Sequence, residues 1–359
     1  MKFIHIKKWV VLSLVLSTLF VSCSKEDPIP DREDFTNNAY ISPTVGGPNQ
    51  PNQVYVNLSN QETKAVKRDS WDLAFYCGDK FRIGINSSIY MAVKKLETNQ
   101  MDTINSADVN AMYSQVAIGT FNPINVDYVD DFDGNILNTA MDEVNVLDVN
   151  NSVYLLNLGY SVGTSVPPIG SVAVNGPHRG WKKIRVLKSF DSYILQYADI
   201  DDTTHKQVVI SKDAFYNFTF FSFNTESEVS VEPKKNNWDL NFTVFTNEIP
   251  GYGTYGYTDF VATNAKMNVQ SYKVTETAEL TFASFALSMV QEDLFSNSQR
   301  KIGSSWRSGG GPTTSPGVYN NVFYVVKDTE GIYYKVKFTA LTNSQGERGY
   351  PQFQYILLQ

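Results

Sequence analysis

The chain carries one strand motif twice. Ser70-Trp71-Asp72-Leu73-Ala74-Phe75 returns as Asn237-Trp238-Asp239-Leu240-Asn241-Phe242, and Asn151-Ser152-Val153-Tyr154-Leu155 returns as Asn321-Val322-Phe323-Tyr324-Val325. The order is kept, and nearly half of the 359 residues separate the members of each pair. Solenoid repeats run about 20 to 50 residues and cannot bury a core singly, whereas a half of this chain can. The sequence therefore predicts domain duplication.

Ahead of the copies lies a leader. Lys2, Lys7 and Lys8 precede an apolar run from Trp9 to Phe20, followed by Val21-Ser22-Cys23. The run is too short to cross a bilayer, and a basic start with small residues before a cut is the pattern of a secretory signal. A cysteine directly after the small residue predicts a bacterial lipobox, with residues 1–22 removed and Cys23 lipidated. Ser24-Lys25-Glu26-Asp27 resembles the signal that sends Bacteroidetes lipoproteins to the outer face of the outer membrane. The expected location is a lipid-anchored protein at the cell surface. From Cys23 to Gln53 the chain is polar and rich in Pro and Asn, the composition of a flexible linker.

With Cys23 committed to lipid, Cys77 is alone, which excludes an intrachain disulfide or a cysteine metal cluster. It follows an apolar strand and is expected to behave as a small buried hydrophobe. A net charge of −7 without clustered Lys and Arg argues against nucleic acid as a partner. The 22 phenylalanines and 21 tyrosines supply ample material for cores.

Period-two alternation between turn residues predicts strands at 54–58, 71–76, 81–85, 153–158, 183–188, 193–198 and 208–210 in the first copy. In the second copy it predicts strands at 218–223, 238–245, 268–274, 322–326, 333–338 and 353–357. Gly251, Gly253 and Gly256 are read as interrupting a connection. Ala107–Ala117 and Glu279–Phe295 read as helices at comparable places in the two copies. The fold class is mainly β, with two tandem modules at 54–205 and 214–359 and short helices. Trp71 and Trp238 are each expected to fill the core of their own module. Asp72 and Asp239 are read as turn-stabilising carboxylates.

Trp71 to Phe75 with Arg82-Ile83-Gly84-Ile85-Asn86, the second Trp-Asp-Leu strand, and Trp306 followed by Asn321 to Asp328 and Tyr334 to Phe338 together resemble the HmuY family of Bacteroidetes surface lipoproteins. The resemblance spans most of residues 54–359, in a tandem two-module form. It implies β modules that capture haem or a related porphyrin and pass it to a TonB-dependent outer-membrane transporter without catalysis. It also implies histidine or methionine as iron ligands. The loop in which one family ligand would fall reads Arg307-Ser308-Gly309-Gly310-Gly311-Pro312 and contains neither. By the same resemblance Met141 and Met112 are haem-ligand candidates in the first copy, with Met267 and Met289 their counterparts in the second. His178 and His205, both in loops of the first copy, are the only histidines of the mature chain, and His178 is a further haem-ligand candidate.

Enzyme motifs are lacking: there is no Gly-x-Ser-x-Gly elbow, His-Glu-x-x-His helix or phosphate-binding Gly-rich loop. Asp130-Asp131 and Asp201-Asp202 fall in polar turns, unsuited to acid catalysis. A surface glycan- or protein-binding lipoprotein without haem is the alternative reading.

Overall fold

The computed structural model describes residues 39–311 and 313–359. The expected signal peptide, Cys23, the start of the linker and Pro312 lie outside the described residues. The expected strands form, generally displaced by one or two residues at their ends. Thr63–Lys67 and Ala92–Lys95 join them. The glycine-punctuated stretch read as a connection is instead a long strand, Gly253–Thr263.

Among the described residues the strands assemble into two five-stranded, two four-stranded and two two-stranded sheets. One five-stranded sheet holds Ala92–Lys95, Tyr154–Asn157, Trp181–Ser189, Ser192–Asp199 and Lys206–Ser211, all from the first copy. The other holds Gln270–Thr275, Val322–Lys327, Tyr333–Thr342 and Arg348–Leu357 from the second copy, with Ala39–Ile41 added at its edge. Among the described residues the packed body thus already includes Ala39, ahead of Val54. Ala39–Ile41 pairs with Phe353–Tyr355, and Gln50, 1% exposed, exchanges hydrogen bonds with Asp259. Part of the segment read as linker is therefore held by backbone pairing and a buried amide.

The four-stranded sheets cross the copy boundary. The leading hairpin, Asn52–Val56 and Thr63–Lys67, pairs with Leu240–Ile249 of the second copy, Val54 to Val56 facing Phe242 to Leu240. The corresponding hairpin of the second copy, Phe218–Ser222 and Ser227–Val229, pairs with Leu73–Tyr76 of the first, Phe218 to Phe221 facing Tyr76 to Leu73. Each copy thus lends its first hairpin to the other. The cores follow this exchange. Phe221 and Phe223 pack with Leu73, Phe75, Leu156, Ile184 and Leu195, while Val54, Val56 and Leu58 pack with Leu240, Phe242, Trp306, Val326 and Phe353.

The two tryptophans do not fill separate cores. Trp238 shares one small cluster with Tyr55, Ala74, Phe220 and Val231, and Trp71 packs against that cluster. Trp71 meets Phe220 edge-on at 4.9 Å, and Trp238 meets Tyr55 edge-on at 5.0 Å. Uninterrupted alternation would have set Trp71 on the face of Leu73 and Phe75. The strands start only at Leu73 and Leu240, so irregular backbone at each Trp-Asp turns the indole to the opposite face. The aspartates then pin the borrowed hairpins: Asp72 accepts from the amide of Phe223 at 2.7 Å and Asp239 from that of Leu58 at 2.8 Å.

The expected helices are reduced to short turns. The first becomes Ser106–Val109 followed by a 3-10 turn at Asn110–Met112; the second becomes two 3-10 turns, Leu287–Met289 and Glu292–Leu294. A buried lysine explains the second loss. The Nζ of Lys335 donates to the carbonyls of Phe282, Ala283 and Phe285, which a helix would have offered to its own amides. Lys183, 0% exposed, makes the equivalent bonds to Ile104, Ile200 and Asp202 in the first copy.

Candidate functional site

The strand Gly253–Thr263 carries Tyr255 and Tyr257 two residues apart, hence on one face. Their rings meet edge-on at 5.8 Å. Between them Gly256 has no side chain, and a Cβ there would lie 1.9 Å from Cζ of Tyr90. The phenol of Tyr90, from the first copy, therefore rests directly on the backbone of the second copy. Tyr160 stands against Tyr90 at 6.3 Å between ring centroids.

These four tyrosines line a cleft between the copies, about 630 Å³ in volume, completed by Ile118, Val172, Val174, Arg307 and Arg348. Pockets that take drug-sized ligands run roughly 300 to 1,000 Å³, and this volume falls within that range. A second cavity, about 180 Å³, lies at the junction beside Trp71, Trp238, Asp130, Glu232 and Lys266 and is too small for such a ligand.

Positive charge is concentrated at the cleft. Arg307 and Arg348 share a single carboxylate, Asp259, which is 7% exposed as a residue. The other oxygen of Asp259 accepts from Gln50. Behind the wall, Arg68 is fully buried and donates only to the carbonyls of Gln50, Ser88 and Val174. Burial lowers its pKa to about 10, which still leaves the guanidinium charged near neutrality. The Tyr90 phenol is pushed up to about 12 by burial, with Arg68 opposing the shift. An anionic group entering this cleft meets an excess of cations in a site partly withdrawn from water, where their attraction is strengthened.

The residues singled out in the sequence fall in different places. Met141, 1% exposed, packs in the first-copy core with Leu73 and Phe75. Met112 and Trp181 pack against another pair of clusters, around Leu155 and Ala92. His178 borders the cleft: its ring lies 5.4 Å from that of Tyr160 and 5.8 Å from that of Trp181. Its Nδ1 accepts from the amide of Gly180, so its Nε2 carries the proton and donates to Asn157 at 2.9 Å. Desolvation lowers its pKa and favours that neutral form. His205 lies away from these groups, with Nδ1 2.9 Å from Asp102. Met267 sits in a 3-10 turn and Met289 is 41% exposed. Among the described residues no cluster of three His, Cys, Asp or Glu side chains could hold a metal ion, and no helix is long and apolar enough to cross a membrane. Cys77 is half-buried, with Sγ 3.4 Å from Thr219 Oγ1 and its thiol pKa raised by burial.

Sequence reasoning passed over the tyrosines and arginines of the cleft. The signal available was Tyr255-Gly256-Tyr257, a strand pattern in which glycine between two same-face aromatics marks the close approach of another group.

The model of the HmuY protein family matches residues 49–203 and again 214–355. No curated protein matches the chain. Among solved structures, a Bacteroides vulgatus protein described as HmuY-like and heme-binding is 20% identical over 38% of this chain and 83% of its own, with a TM-score of 0.20. The apo HmuY analog of Tannerella forsythia is 11% identical over 91% of this chain and 100% of its own, with a TM-score of 0.25. Neither superposes well enough to bear on the geometry of the cleft. The family match, by contrast, takes in nearly all of both copies, and the chain belongs to the HmuY family as a tandem of two family units.

Proposed function

We propose that the protein captures haem or a related porphyrin in the cleft between its two copies and does no chemistry on it. The observation that carries this reading is the family match over both copies, taken with a cleft of suitable size whose walls are tyrosine rings and whose end is cationic. Aromatic faces stack on a macrocycle and guanidinium groups receive its propionates. In this reading His178 supports Tyr160 from behind. Met112 and Met141 would reach iron only after local rearrangement.

The physiological setting is part of the same proposal. Lipid on Cys23 would hold the protein on the outer membrane at the cell surface, and a TonB-dependent transporter would receive the cargo. Modules at 54–205 and 214–359 remain the units of the sequence, while the binding site belongs to both.

The test is a haemin titration of the purified mature chain followed through the Soret band. One haem per chain is expected, because both copies build a single cleft. Two per chain would place a site in each copy, and an unaltered spectrum of free haemin at micromolar protein would end the haem reading. One observation favours the alternative of a glycan binder: the ring of Phe121, a residue 61% exposed, lies 6.3 Å from that of the cleft-lining Tyr255. Retardation in a polysaccharide gel without a haem spectrum would select it.

A further inference from the structure

Resting on the reading above, we infer that the cleft recognises its ligand through carboxylates and not through iron, so that iron-free porphyrins bearing free propionates are ligands as well.

Two arginines of the cleft keep donors unspent. A guanidinium presents five N–H donors in a fixed fork. Arg307 uses Nη2 on the carbonyl of Thr258, and its Nε lies 3.9 Å from Asp259, beyond hydrogen-bond reach. The Nε atoms of both Arg307 and Arg348 are buried without a hydrogen-bond partner. Arg348 spends Nη1 on the Gly309 carbonyl and Nη2 on Thr258 and Asp259. Two guanidinium groups are thus set against one carboxylate that is already engaged by Gln50. Their side chains are 11% and 7% exposed, so water does little to offset the imbalance.

Buried charge left without its complement is costly, and a carboxylate from outside supplies that complement. The fork geometry of arginine favours a planar two-oxygen acceptor. Gly309 is the residue that gives the guanidinium room: a Cβ there would meet Nη1 of Arg307 at 3.2 Å. The walls facing the pair are phenols and aliphatic side chains, and neither methionine nor histidine is among the cleft-lining residues. Nothing in this arrangement requires a metal at the centre of the ring.

The experiment compares three probes on the unaltered mature chain, with binding read by quenching of tyrosine and tryptophan emission and by porphyrin absorbance. The probes are haemin, protoporphyrin IX and protoporphyrin IX dimethyl ester. Haemin and protoporphyrin IX are expected to bind within about threefold of each other, and the ester at least about tenfold more weakly, the scale of a lost charge-assisted pair. Arg307→Gln should weaken protoporphyrin IX by about tenfold while changing the ester little. Arg307→Lys should recover part of the loss, since it keeps the charge and gives up the fork. Equal binding of ester and free acid would overturn the inference, as would much tighter binding of haemin than of the iron-free ring, although either would leave porphyrin capture standing. Failure of all three probes would remove both.

Discussion

Asp72 and Asp239 occupy the same place in the two copies and do the same backbone work, yet their electrostatics differ. Each follows a tryptophan, and each receives an amide from the borrowed hairpin: Phe223 for Asp72, Leu58 for Asp239. Each also donates its own amide to that hairpin, to Phe221 and Val56 respectively, at 2.8 Å. Asp72 has in addition the guanidinium of Arg179 at 2.5 Å. Among the described residues no cation pairs with Asp239 in this way. Burial, together with the nearby Asp328 and Glu330, pushes its pKa up to about 7. A staple built from hydrogen bonds alone is thus sufficient to hold an exchanged hairpin. The ion pair in the first copy adds a liability as well as a bond, because removing one partner strands the other.

The largest effect is expected on separating the copies. Fragments 39–213 and 214–359 expressed alone should lack a cooperative melt, since each loses a hairpin and with it two or three core residues such as Phe221 and Phe223 or Val54 and Val56. Mixed and refolded together, they should form a one-to-one complex with the circular dichroism of the parent. A fragment melting alone near the parent temperature would show that the exchange is dispensable.

A smaller effect separates the two aspartates. Asp72→Asn should cost about 3 to 5 kcal/mol in urea unfolding at pH 7, because Arg179, 10% exposed, is left buried without its carboxylate. Asp239→Asn should cost far less, since the amide oxygen still accepts from Leu58. Equal losses would mean that Arg179 contributes nothing at its site.

The smallest effect is one of pH. The carboxyl of Asp239 binds its proton more tightly in the folded state, about 7, than at its ordinary 3.8. Its contribution is therefore fully present below about pH 4 and is lost as pH rises through about 7. Glu232, also raised to about 7, and Asp130, raised to about 6, titrate in the same window, so the parent alone does not isolate the effect. The difference between Asp239→Asn and parent does isolate it: the variant should gain relative stability from pH 5 to pH 8. A difference independent of pH would show that Asp239 stays in one protonation state across that range.

Much of this molecule was legible in advance. The paired Trp-Asp-Leu motifs marked the duplication, and alternation placed most strands, because side-chain period is a local property of a pleated backbone. The helices were misjudged because the stripe of Phe282, Phe285 and Met289 fits a helical period, while the carbonyls that would close the helix are taken by Lys335 from a distant strand. The tryptophans were misplaced for a related reason: two residues of irregular backbone reverse a face, and no periodicity announces the break. In the site, the methionines and His178 were visible as residue types, whereas the four tyrosines and two arginines acquired meaning only when strands far apart in sequence were brought to one cleft.

The sequence alone set the unit: its duplication, its strand content and the strand that opens each copy. What only the tertiary structure decided was which partner each hairpin would join. The first hairpin buries Val54, Val56 and Leu58 and the second Phe221 and Phe223, while the two aspartates offer equivalent acceptors, so the period of the strands does not by itself choose the partner. Side-chain packing and backbone register across the copy boundary selected the exchange, and with it a single cleft shared by both halves.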